Sequence, residues 1–350
     1  MRWEPLYEVT QIKGDGEAHP KLSPNDEWAD YGTWDKGDIA GTKPKKDSML
    51  SYEYARTALQ IGMGVQKKIG ANPFKFGMIG STDAHTSLAS TREENYWGKF
   101  AGTEPAADRY KHYVIKAFSG DEKLSTFAWE EVASGLAGVW ARENTREAIF
   151  DAMQRKETYA TTGSRMIVRF FGGWEFDQKD ANTRTPAGVG YAKGVPMGGN
   201  LAAAPKGKTA PTFLVAALKD PFGGNLDRIQ IIKGWVDSKG KMHEKVYDVA
   251  WSGNRKPDAK GKLPSVGNTV DVANASWTNT IGTTELSTVW KDPEFNVKEN
   301  AFYYARVIEI PTPRWTAYDA KHFKVKMPKE VPMTTTERAY TSPIWYSPKG

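Results

Sequence analysis

Asp83 and His85 stand two residues apart in GMIGSTDAHTS (residues 77–87), directly after a short apolar run. In extended chain, residues i and i+2 point to the same side, so the carboxylate and the imidazole can converge on one ion. Oxygen and nitrogen donors of this kind suit Zn²⁺, Mn²⁺ or Fe. The same doublet is also compatible with an ordinary hydrogen-bonded turn. Glu17 and His19 repeat the spacing in KGDGEAHP (residues 13–20), where Pro20 biases His19 toward extended backbone. The bland reading there is a Gly-Asp-Gly turn with a charged rim. Glu8 lies in the apolar run PLYEVTQI, where an isolated charge is costly, so it is expected to face a polar site or to pair with Lys13 or an arginine. Of the remaining histidines, His112 is expected to pack within RYKHYVIKAF, and His243 and His322 to occupy surface or satisfied positions.

The elements that must position these residues follow from periodicity. Residues 5–12 read as a strand, and 21–47 as a long polar loop carrying Trp28, Tyr31 and Trp34. The spacing of Tyr52, Ala55, Leu59, Met63 and Gln66 predicts a helix over 48–69, stopped by Asn72-Pro73. A strand over 75–81 follows. Strand, helix, strand is a βαβ unit with a parallel pair, whose sites gather at the carboxyl ends of the strands. Both doublets follow such strands. A second helix is expected from Asn144, the candidate N-cap with Glu147 three residues on, to about Tyr159, before a strand over 165–171. Beyond it, 173–210 reads as a linker or long surface excursion. Residues 211–350 carry β-type runs at 212–218, 228–236, 244–251 and 301–310, expected to form a small antiparallel sandwich.

Composition excludes whole classes of chemistry. The chain of 350 residues has no cysteine, so disulfides, thiolate metal sites and cysteine nucleophiles are out. Its 39% apolar and 26% charged residues are those of a globular protein, and no apolar run reaches the roughly 20 residues that span a bilayer. MRWEPLYEVT has no apolar segment of signal-peptide type. The net charge of +6 is scattered, and KPKK (residues 43–46) sits in a solvated loop, so nucleic acid is not an expected partner. There is no G-x-S-x-G, no P-loop, no strand-linked G-x-G-x-x-G and no H-E-x-x-H.

PLYEVTQIKGDGEAHP, KFGMIGSTDAHTS, GLAGVWARENTREAIFDAMQRKETYATTGSRMIVRFFGGW, ASWTNTIGTTELSTVW and FYYARVIEIPTPRWTAYDA together resemble a large bacterial family known as a domain of unknown function within the PHP (polymerase and histidinol phosphatase) superfamily. The resemblance covers nearly the whole chain. It implies a distorted (β/α)7 barrel with a multinuclear metal centre, hydrolysis of phosphate or sulfate esters, and a periplasmic or extracellular location, with the cytoplasm as alternative. Asp83 and His85 match the last D-x-H metal motif of that superfamily, and Glu17 and His19 match a segment near the site, implying a rim role. The earlier ligand motifs of that superfamily have no counterpart here. The expectation is therefore that 1–172 is the C-terminal portion of a PHP-like α/β barrel, that 211–350 is a β-rich domain, and that the chain is inactive alone because upstream metal ligands are absent.

Two functions compete. In the first, the chain is part of a metal-dependent phospho- or sulfoesterase acting on a small anionic ester. Asp83 and His85 then hold a divalent Zn, Mn or Fe ion in the full-length protein, while Glu8, Lys13, Glu17 and His19, with Arg92, Lys99 and Arg109, shape the rim or meet substrate. In the second, Trp235, Trp251, Trp277 and Trp315 make the β-rich half a non-catalytic glycan- or protein-binding module.

Overall fold

The computed structural model describes residues 3–348. The first part of the chain runs β1 (Leu6–Gln11), β2 (Gly14–Asp15), α1 (Asp47–Leu50), α2 (Ala55–Ile69), β3 (Gly77–Gly80), β4 (Tyr113–Ile115), β5 (Thr126–Phe127), β6 (Leu136–Val139) and α3 (Arg146–Gln154). It continues through β7 (Thr158–Thr161), β8 (Ile167–Gly173), α4 (Pro186–Lys193), β9 (Gly194–Pro196), β10 (Thr212–Leu218), β11 (Leu226–Val236) and β12 (Met242–Trp251). Last come β13 (Glu285–Lys291), β14 (Asn300–Glu309), β15 (Thr312–Pro313), α5 (Trp315–Phe323), β16 (Thr334–Thr335), β17 (Arg338–Thr341) and β18 (Ile344–Tyr346).

Three layers result. One sheet has the order β13-β10-β8-β9, and a larger one β12-β11-β14-β17-β7-β6. Phe213 and Val215 of β10 meet Tyr303, Ala305 and Val307 of β14 in the core between the two sheets, while Leu214 faces the other way onto Phe171 and Val289. This is the period-2 alternation of a sheet packed on both faces. The opposite face of β14, carrying Phe302 and Tyr304, is covered by Ala55, Leu59 and Met63 of α2 together with Val9 and Met78 of β1 and β3. α2 buries this stripe and ends at Gly70, whose φ of 79° closes the helix as only glycine does readily.

The barrel is not present. β1 and β3 form a parallel pair across α2, but every other ladder between named strands is antiparallel, and among the described residues no sheet closes on itself. The strand-helix-strand order does not recur as a parallel unit, because α3 leads from β6 into β7, and these two pair antiparallel. Strands from both sides of residue 172 share each large sheet, since β8 pairs β10 and β7 pairs β17.

Several local expectations shift. The predicted helix over 48–69 is broken into α1 and α2, with Tyr54 extended at φ −113° between them. Thr145, not Asn144, caps α3, its side chain accepting from the Ala148 amide. Residues 173–210 are tied into the sheets by α4 and β9, which pairs with β8.

The fold places the ends of β1 and β3 against the main chain of the segment leading into β6. A Cβ at Gly80 would lie 2.8 Å from the Leu136 carbonyl oxygen, and one at Gly135 2.6 Å from that of Thr10. Both contacts are closer than any side chain allows.

Candidate functional site

Beyond Gly80 the chain leaves the strand, and Asp83 takes a positive φ of 52°. That conformation is uncommon for a non-glycine residue and is tolerated best by Asp and Asn. Asp83 and His85 are thus not neighbours on a strand face, yet their side chains meet, with His85 Nε2 3.0 Å from Asp83 Oδ1. The His85 amide donates to the Lys99 carbonyl at 2.6 Å, which fixes the loop from the other side.

Two ammonium groups converge on this carboxylate. Lys99 Nζ donates to Asp83 Oδ2 at 2.6 Å and to the Asp83 carbonyl at 3.0 Å, and Lys13 Nζ pairs with the same Oδ2. Lys99 Nζ also lies 3.3 Å from His85 Nε2. When Nε2 carries a proton it donates to Asp83, and when it does not it accepts from Lys99, so one ring nitrogen is poised between an acceptor and a donor. Burial, together with the neighbouring Lys99 charge, pushes Lys13 down to about 8, and burial pushes Lys99 down as well. Glu8, on the exposed side of β1, accepts from Ser81 Oγ and borders both lysines. Behind them, burial raises the Glu131 carboxyl to about 7 while Tyr96 donates to it at 2.5 Å. The cluster opens to solvent through His85, whose side chain is 59% exposed.

Glu8, Lys13, Asp83 and His85 are therefore brought together, and Lys99 completes the group. Glu17 and His19 are elsewhere. Glu17 is buried among Arg56, Arg306 and Tyr304, with Arg56 and Arg306 also holding Asp26. These arginines keep the Glu17 and Asp26 carboxyls below their usual range against the cost of burial. His19 is buried too: its Nδ1 accepts from the Lys21 amide at 3.1 Å, leaving Nε2–H to donate to Asp35 at 2.9 Å. Neither reaches a rim. Arg109 is buried in a two-bond clasp with Asp319 and stacks on Trp315. Arg92 is exposed, pairs with Glu94 and lies over the Phe222 ring.

The donor set does not amount to a metal centre by itself. Asp83 and His85 are two donors, Asp83 is occupied by two lysines, and among the described residues no group of three or more His, Cys, Asp or Glu side chains could hold a metal ion.

A second constellation was not visible in sequence. Glu93, Glu309 and Glu337 line a cavity of about 60 Å³ with Ser164, Asp220 and Trp277. Burial and the Glu337 charge push Glu93 up to about 8, and burial does the same to Glu309. Ser164 Oγ donates to Glu309 Oε1 at 2.5 Å, and Thr162 donates to Glu337. The available signal was Glu309 itself, an acid inside the apolar run AFYYARVIEI. Of the four tryptophans considered for ligand binding, Trp315 is fully buried and donates to the Glu131 carbonyl, Trp235 stacks on His243, and Trp251 donates to the Arg255 carbonyl. Trp277 alone lines a cavity described above.

Among the described residues, no helix is long and apolar enough to cross a membrane. No curated protein and no solved structure matches the chain. A family model does, over residues 1–348, and the chain belongs to that family, described as a protein of unknown function (DUF3604).

Proposed function

We propose that the chain is part of a hydrolase of small anionic esters, phosphate or sulfate, and that the Lys13–Asp83–His85–Lys99 cluster meets the anionic group. The observation that carries this reading is the convergence of two partly buried ammonium groups on a single carboxylate beside an exposed imidazole, at the carboxyl ends of the one parallel strand pair. An incoming oxyanion can take up the hydrogen bonds that Lys13 and Lys99 now give Asp83, and such charge-assisted bonds are the stronger kind. His85 can hand a proton to, or take one from, a group bound there. The resemblance of the D-x-H segment around Asp83 and His85 to the last metal motif of the PHP superfamily is what suggests ester hydrolysis as the reaction class. A divalent metal used in that reaction would need donors beyond Asp83 and His85.

The test reads the cluster directly. Inorganic phosphate and sulfate, the products of such a reaction, are titrated into the purified chain while the His85 ring resonances are followed by NMR. Saturable shifts at pH 7 are expected, weakening by pH 9 as Lys13 loses its proton, and absent in K99M. His85 resonances indifferent to both anions would overturn the reading. Metal analysis and aryl phosphate and aryl sulfate turnover by the same preparation test the need for outside donors: one tightly bound Zn or Mn per chain, with turnover, shows that need to be wrong.

A further inference from the structure

At the far end of β6 from this cluster lies a half-buried cation without an acid of its own. Trp140 follows β6 directly, four residues after Leu136, or roughly 13 Å along a strand. The Arg169 guanidinium of β8 lies 3.1 Å from the Trp140 ring centre. Trp140 is itself fixed, donating from Nε1 to the Val168 carbonyl at 2.9 Å and stacking on Tyr159. Among the described residues the one hydrogen bond from the Arg169 side chain is a long one, 3.5 Å to the Tyr191 hydroxyl, and no carboxylate pairs with it. Burial lowers its pKa, yet a guanidinium keeps its proton in proteins. The nearest acid, Glu157, is engaged by the Tyr191 hydroxyl and by Arg155 at 3.5 Å. Arg142 and Arg155 stand exposed on the same cavity wall, so three arginines face one glutamate. The cavity measures about 460 Å³, within the usual range for small-molecule sites.

We propose that this cavity is a binding site for a small organic oxyanion, with its carboxylate, sulfate or phosphate group held by Arg169 and Arg142. Glu157 acts on Arg169 only as a shared neighbouring charge, with no direct ion pair, and a planar guanidinium stacked on a fixed indole is already oriented for two-point contact with such a group. Tyr191 and Pro196 offer the apolar wall for the body of the ligand. The site is independent of the Lys13–Lys99 cluster and does not rest on the ester-hydrolase reading.

The experiment is calorimetric titration of the full chain with citrate, sulfate and phosphate at low ionic strength, repeated on K99M and on K99M carrying R142Q or R169Q. In K99M, where the Lys13–Lys99 cluster is disabled, saturable binding of at least one anion is expected to persist, and adding R142Q or R169Q should weaken it about tenfold or more, as follows from losing one charge-assisted contact. Arg142 is exposed, so R142Q keeps the test independent of any folding defect in R169Q. No saturable binding of any of the three overturns the proposal. So does binding that K99M abolishes outright, or binding in K99M that R142Q and R169Q leave intact.

Discussion

Glu17 and Asp83 sit in the same charge arrangement with opposite surroundings. At Glu17 a carboxylate is shared by two cations, Arg56 and Arg306, and at Asp83 a carboxylate is shared by Lys13 and Lys99. The first is sealed: Glu17, Arg56 and Arg306 are each no more than 1% exposed, and Tyr304, Gln230 and Asp26 use the remaining polar atoms. The second is open, with Asp83 at the surface of a loop and His85 mostly in solvent. Arginine, planar and many-handed, suits the closed network, whereas lysine keeps a compact charge whose pKa responds to its surroundings. Burial alone turns one motif into a structural joint and leaves the other available to a ligand.

The comparison is broken most severely from the sealed side. Arg306→Met leaves Glu17 and Asp26 in the interior with Arg56 as their one remaining arginine, a buried negative charge without compensation, and chemical denaturation is expected to show a loss of about 3–5 kcal/mol. A loss below about 1 kcal/mol would mean that water reaches the network.

Next comes pH. Glu93 and Glu309 are raised to about 8, and Glu131 and Asp15 to about 7. Unfolded carboxyls titrate near 4, so between there and pH 8 the native state holds protons that the unfolded chain has released. Stability from these groups is full below the unfolded value and is lost as pH rises through 7 and 8. Thermal melts should give a Tm at pH 5.5 above that at pH 8.5 by on the order of 5 °C. Glu309→Gln should flatten this slope. Below about pH 4 the trend reverses, because Glu17 and Asp26 have lowered values and lose their pairing on protonation.

Asp83→Ala is a milder change for the fold, about 1 kcal/mol or less by denaturation, because its pairs are partly solvated. It leaves Lys13 and Lys99 facing each other, so the Lys13 pKa should fall further, which NMR of the ammonium titration can follow. His85→Ala should be the smallest perturbation, within about 0.5 kcal/mol of the parent by denaturation, while removing the imidazole from the open cluster.

Local pattern and fold were legible to different depths. The apolar spacing around Leu59 and Met63 and the strand-helix-strand order were enough to read the parallel pair of β1 and β3, because those signals sit within one segment. The D-x-H doublet was read as two donors converging on an ion from one strand face; the side chains meet each other instead, through a left-handed Asp83 beyond the strand. Lys13 was read as a partner for Glu8, and its ion pair is instead with Asp83. The extension from one parallel pair to a barrel failed because pairing direction depends on which strands meet. Nothing in ARENTREAIF shows that β7 returns antiparallel to β6. Glu17 was misplaced for the same reason: its partner Arg306 lies 289 residues away and was seen only as part of a β run. Glu93 and Glu337 lie in polar surroundings in the sequence, where an acid carries no warning of burial.

β14 has a consequence for how the molecule comes apart. One face of this strand closes the core between the two sheets, and the other closes the core beneath α2. Its Arg306 reaches the sealed network, and its Glu309 reaches the acidic cavity. A wall common to two rooms cannot be removed from one alone. Unzipping β14 opens both cores at once, so heat should melt the two as a single cooperative unit, with one calorimetric peak and amide exchange slowest along this strand.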